Sequence, residues 1–299
     1  MHRTLFKLNA ALLAAAAFVF TACGNTTTSS PPPPGVMPIE DKTYTVNGVA
    51  FTMKAVQTVK DGVIGNNEQK DNKEATVNLT AYRIGETEVT QELWEAVMKK
   101  NDSHFKTNPA SGEEQKRRPV DSVSWDDCIE FCNTLTTALM GKEEQVYTVS
   151  GATVTQNLSK KGFRLPTEAE WEWAAQDGTK RNIWAGTNKK ENLKDYAWFV
   201  NSDGGDANSQ THEVKKKKPN EFGLYDMSGN LWEWCWDSFG DKPSAGGDDP
   251  TGPRDFFQAK VLKGGDWYDD NTYAKCSFRN EEVKTSPLQL FGLRIVCRP

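Results

Sequence analysis

The run from Gly223 to Asp237, GLYDMSGNLWEWCWD, concentrates the residue types that hold a hard cation. Asp226 and Glu233 supply carboxylate oxygens seven residues apart, and the small Ser228-Gly229 pair lets backbone carbonyls turn toward the same point, as calcium shells commonly require. The plain alternative is that these acids cap turns without a metal. The chain also has six cysteines, one of them Cys23 near the N-terminus. Cys128 and Cys132 sit one helical turn apart beside Trp125, Ile129 and Leu135, which reads as a pair of buried thiols. Cys235, Cys276 and Cys297 fall on predicted strands, where an exported protein permits a disulfide whose pairing the spacing does not choose. The three histidines, His2, His104 and His212, form no evident metal cluster.

These residues need elements to position them. Trp232, Trp234 and Trp236 alternate at the two-residue period of a strand, so their indoles face one way. Ser124 followed by Asp127, and Thr167 followed by Glu170 behind a proline, have capping-box spacing and predict two helix starts. A third helix is predicted after Thr90, from about Gln91 to Lys100. Tyr44 and Val46, then Val49 and Phe51, alternate around Asn47-Gly48, a favoured hairpin turn. Elsewhere short strands and long loops are expected, with the ten tryptophans filling space between loops.

Residues 1–23 read as a targeting segment. His2, Arg3 and Lys7 are basic, Leu8 to Phe20 are mostly apolar, and Thr21-Ala22-Cys23 resembles a bacterial lipobox with Cys23 as the lipidated residue. The apolar stretch is shorter than the roughly 20 residues of a membrane span. Residues 24–39, rich in Thr, Ser and Pro, predict an extended tether. Residues 40–299 show no further composition break and read as one domain. A net charge of −5, from 36 basic and 41 acidic residues, provides no basic field for nucleic acid. The basic run Lys215 to Lys218 reads as a solvated loop.

Seven stretches occur in the order shown by a known family: ETEVTQELWEAVM from Glu86, RPVDSVSWDDCIEFCNTL from Arg118, GFRLPTEAEWEWAA from Gly162, NIWAG from Asn182, PNEFGLYDMSGNLWEW from Pro219, VLKGGDW from Val261 and FGLRIVCR from Phe291. Together they resemble the formylglycine-generating enzyme, or sulfatase-modifying factor, family. The resemblance implies an α+β, C-type lectin-like domain with short antiparallel strands, a few helices and long loops. It also implies two structural calcium sites. One uses the side chains of Asp226 and Glu233 with the carbonyls of Gly229 and Leu231; the other uses Asn182, the Ile183 carbonyl, Asp195 and the Ala197 carbonyl.

Catalytic members oxidise a substrate cysteine to formylglycine with two cysteines of their own that bind copper, as soft thiolates suit Cu(I). Counting from Gly265, those positions hold Asp269 and Ala274, so no copper is expected. Aromatic and short polar residues fill the loop after Gly265, and a second such tract runs from Leu288 to Phe291. Residues of this kind suit adaptable recognition. The layout, with the lipobox, is similar to the variable lipoproteins of diversity-generating retroelements, with a variable region at about 261–299. The expectation is therefore a surface-displayed lipoprotein of the bacterial outer membrane or cell surface, without catalysis, binding a protein or glycan ligand through Asp266, Tyr268, Asp269, Asp270, Gln289 and Phe291. Trp267, Arg279 and Arg294 are read as framework. The rivals are an oxidase or other enzyme of the family, and a glycan-binding lectin.

Overall fold

The computed structural model describes residues 38–240, 246–253 and 258–299, so the lipobox cysteine Cys23 and all of the tether before Pro38 lie outside the described residues. The chain opens on a hairpin, β1 (Lys42–Val46) and β2 (Val49–Val56), in which Asn47 and Gly48 both take positive φ, 47° and 85°. That left-handed pair is what a two-residue turn between twisted strands requires. β3 (Val59–Ile64), β4 (Ala75–Leu79) and β5 (Tyr82–Gly85) follow, then helices α1 (Gln91–Met98) and α2 (Trp125–Met140). The hairpin β6 (Tyr147–Ser150) and β7 (Thr153–Gln156), the short β8 (Phe163–Arg164) and helix α3 (Glu168–Ala175) lead into a long irregular stretch. The last strands are β9 (Trp232–Ser238), β10 (Gly247–Asp248), β11 (Ala259–Lys263), β12 (Asn280–Val283), β13 (Phe291–Gly292) and β14 (Val296–Cys297).

Two sheets carry the architecture. One has the order β1-β2-β5-β14-β8, so the final strand closes against the N-terminal ones; the other has the order β12-β11-β9-β13. β9 alternates as its sequence predicts. Trp232, Trp234 and Trp236 pack with α1 and α2 in one core cluster, whereas Cys235 faces a second cluster formed with α3, β3 and β4. Both capping boxes form, Ser124 with Asp127 on α2 and Thr167 with Glu170 on α3, and α1 ends at Lys99 in the left-handed region. Every residue of α3 is buried, including three glutamates. Each glutamate has a cationic partner: Glu168 with Arg279, Glu170 with Arg164 and Glu172 with Lys263. Burying these carboxylates without those partners would cost several kcal/mol each.

All five described cysteines, Cys128, Cys132, Cys235, Cys276 and Cys297, are free and buried, so the disulfide left open by the sequence does not form. Among the described residues no helix is long and apolar enough to cross a membrane. The basic run is an exposed loop, as expected, with Lys217 partly buried; Lys215, Lys216, Lys217 and Lys218 pair with Glu86, Glu213, Asp206 and Asp195, and Lys217 also lies 3.8 Å over the Trp198 ring.

Candidate recognition face and its framework

The glycine-bearing turn before β9 is tightly built. Asp226 and Asn230 take positive φ, and a Cβ on Gly229 would lie 2.0 Å from the Trp198 carbonyl oxygen, so only glycine fits that contact. Around the turn, three carboxylates meet one guanidinium. Glu88 accepts from the Leu231 backbone N–H at 3.1 Å and from Asn230 Nδ2 at 2.7 Å. Glu233 is clasped by Arg294, with Nη2 at 2.7 Å and Nε at 3.0 and 3.1 Å, and Trp171 Nε1 donates to it at 2.6 Å. Asp226 accepts from the Lys215 backbone N–H at 3.0 Å through Oδ2, while its Oδ1 is buried without a partner. Burial pushes Asp226 up to about 6 and Glu88 well above the usual carboxylate range.

That inventory fits a hard cation at Asp226, which has an unused oxygen beside an excess of negative charge. It does not fit one at Glu233, whose two oxygens are already bonded by Arg294 and Trp171. Among the described residues no three His, Cys, Asp or Glu side chains are grouped closely enough to hold an ion by themselves, so backbone carbonyls such as those of Gly229 and Leu231 would have to contribute.

The second calcium set is dispersed among other partners. Asn182 donates to Asp177 Oδ2 at 2.7 Å and accepts from Asn188 Nδ2 at 2.8 Å, and the Ile183 carbonyl accepts from the Cys276 N–H at 2.8 Å. Asp195 is partly exposed and held by Lys218 at 2.8 Å, while Ala197 is buried in a small apolar cluster. Asp177, which sequence reading passed over, is the acid that organises this turn, accepting from Asn182, the Gly186 N–H and the Glu221 N–H.

The two tracts assigned to recognition come together. Trp267 and Leu290 share one apolar cluster with Leu231 and Trp198, and the Trp232 N–H donates to the Leu290 carbonyl at 2.9 Å. On these tracts Tyr268, whose ring meets Trp267, is 64% exposed, Tyr273, whose ring meets Trp232, 38%, and Leu288 45%, with Asp270, Thr272 and Gln289 exposed or partly so beside them in sequence. Tyr268, Asp270 and Gln289 thus stand where a contact residue can act, and Asp269 is half-buried at the edge.

Two members of the expected contact set do not. Phe291 is 4% exposed, because it begins β13 beside Trp232 and its ring meets Trp234 edge-on at 5.2 Å. Asp266 is 1% exposed, because its carboxylate turns inward to accept the N–H groups of Tyr268 and Asp269. Both belong to the framework, with Trp267, Arg279 and Arg294, which are all buried. Leu288, Thr272 and Tyr273 replace them at the surface; their exposed positions in loops were the available signal.

The thiol nearest this loop is buried and not activated. Asp269 is joined through its carbonyl to the Val200 N–H at 2.9 Å, Ala274 is buried, and the nearby Cys276 thiol is pushed by burial well above its ordinary value. Such a thiol is a poor nucleophile and a poor metal ligand.

Residues 37–299 match the sulfatase-modifying factor enzyme 1-like domain. Among solved structures, Treponema denticola variable protein 1 superposes with a TM-score of 0.78 at 43% identity, covering 87% of this chain and 99% of that one. Chaperone protein LppX of Paenibacillus barcinonensis is 34% identical over 250 residues, 74% of this chain and 81% of that protein. The formylglycine-generating enzyme of Mus musculus is 27% identical over 191 residues, 60% of this chain and 44% of the enzyme, so the chain spans less than half of that relative's length.

Proposed function

The chain belongs to the sulfatase-modifying factor enzyme 1-like domain family, and on that premise we propose that it is a binding member of the family, not an oxidase. The observation that carries this reading is the replacement of the two copper-binding cysteines by Asp269 and Ala274, beneath a surface of exposed Tyr268, Tyr273 and Leu288. Likeness to a variable protein over 87% of the chain supports a non-catalytic scaffold of the same C-type lectin-like kind. We read the exposed positions of residues 268–273 and 288–289 as the diversified ones and the buried Asp266, Trp267 and Phe291 as fixed. Large rigid rings with small polar neighbours, set on a packed floor, suit recognition of a protein or glycan surface.

Display at the bacterial surface through a lipid on Cys23 belongs to the same proposal, supported by the basic, apolar and small-residue order of residues 1–23. Calcium at the Asp226 turn belongs to it as well, supported by the unpartnered Oδ1 of Asp226. The catalytic alternative is tested directly by incubating purified protein with Cu(I), oxygen and a cysteine-containing sulfatase peptide. We expect the peptide mass to remain that of the cysteine form; appearance of the aldehyde product would overturn the binding-only reading.

A further inference from the structure

Two acids at the start of the recognition loop are short of hydrogen-bond donors. Asp266 Oδ1 accepts the Tyr268 N–H at 2.7 Å and the Asp269 N–H at 3.0 Å, so this oxygen sets the turn from which Tyr268 projects. Asp266 Oδ2 is buried and has no partner. Asp269 lies against the same carboxylate through its N–H, and its Oδ2 is also buried without a partner.

Neighbouring charges do not relieve the pair. Asp270, on the same loop, adds a like charge, while Asp203, on the segment packed alongside, is taken by Asn271 and Lys190. His104 stacks edge-on with Phe105, which in turn meets Trp267 edge-on. Among the described residues no basic side chain bonds either carboxylate. Two neighbouring desolvated carboxylates, each with one buried oxygen lacking a donor and neither with a basic partner, form a mismatch that one proton repairs, because it removes a charge and turns one acceptor into a donor.

We propose that Asp266 and Asp269 share one proton, and that this proton holds the recognition loop in shape, making Asp266 a positioning residue and the face sensitive to pH. Its use in recognition rests on the function proposed above; the titration itself does not depend on any ligand. The direction of the expected ionisation agrees: burial, with the Asp269 charge second, pushes Asp266 up to about 8, and burial pushes Asp269 up to about 6. A group raised in the folded loop stabilises it below that value and loses the effect as the proton leaves.

The test is carboxyl carbon NMR on the lipid-free full domain from about pH 4 to about pH 9, with hydrogen-exchange protection of the Tyr268 and Asp269 amides followed in parallel. We expect one carboxyl of the pair to keep its proton past neutrality, and protection of the two amides to fall about tenfold per pH unit above its midpoint. Asp266→Asn keeps an acceptor for both N–H groups and offers an N–H toward Asp269, so its protection should hold across the range. Both carboxyls ionising in the ordinary aspartate range with the amides still protected would overturn the inference. A midpoint driven down by added calcium would overturn it as well, since a cation and not a proton would then fill the gap. Should Asp266→Asn not fold, the titration of the parent protein decides alone. Loss of the proposed ligand face by other evidence would leave this titration standing, so the two readings fail separately.

Discussion

Arg294 shows how much of this protein hangs on single charges. It reaches Glu233 through two nitrogens and also donates to the carbonyls of Gly85 and Tyr225. Arg294→Met is therefore expected to cost about 3–5 kcal/mol, since it leaves a buried carboxylate unpaired beside Glu88 and Asp226. Tyr268→Ala, at an exposed ring, should stay within about 0.5 kcal/mol. Urea unfolding of the two variants separates framework from surface, and equal losses would place Tyr268 in the packing. Trp267, Arg279 and Arg294, read as framework, are all buried, and two of them, Trp267 and Arg294, stand beside glycine landmarks. The roles of Asp266 and Phe291 were not legible. An acid that caps its own turn looks, in sequence, like any exposed loop acid, and Phe291 is buried by a parallel pairing with Trp232 that no local pattern announces.

Elements were readable where their signals are local. The Asn47-Gly48 hairpin and both capping boxes form as the spacing predicts, because each depends on residues two or three positions apart. β14 was foreseen at Cys297, whereas Cys276, read as lying on a strand, sits in a turn. β8 and β13, of two residues each, were not readable, since two residues carry no period and these strands exist only through partners distant in sequence. The buried acids of α3 were missed for the same reason: Lys263 and Arg279 lie far along the chain. The two helix starts should respond differently to loss of their caps. Ser124→Ala removes one cap and is expected to cost about 1 kcal/mol. Glu170→Ala removes a cap and also strands Arg164, which Glu170 meets at 2.6 Å through both oxygens, so a loss of about 3–5 kcal/mol is expected. Similar losses in chemical denaturation would mean that the Arg164 pair contributes nothing beyond the cap.

On the scale of the whole molecule, buried acids set the pH response. Burial raises Asp226 to about 6, Asp237 to about 7 and Asp266 to about 8, so the folded chain keeps protons that the unfolded chain has already released. Stability should therefore fall as pH rises from about 5 to about 8, and Asp237→Asn should flatten part of that slope. A melting temperature that rises over this range would show these acids to be ionised in the fold. Calcium, if held at the Asp226 turn, adds stability by mass action, so a chelator should lower the melting temperature and added calcium restore it. The central claim, a diversified face on a fixed scaffold, is tested most directly by sequencing the locus and its flanks. A near-copy of the last coding segment beside a reverse transcriptase gene is expected, with differences at adenines falling on the codons for Tyr268, Asp270, Thr272, Tyr273 and Gln289 and sparing those for Asp266, Trp267 and Phe291. Absence of such a copy, or differences spread equally over buried and exposed codons, would contradict it.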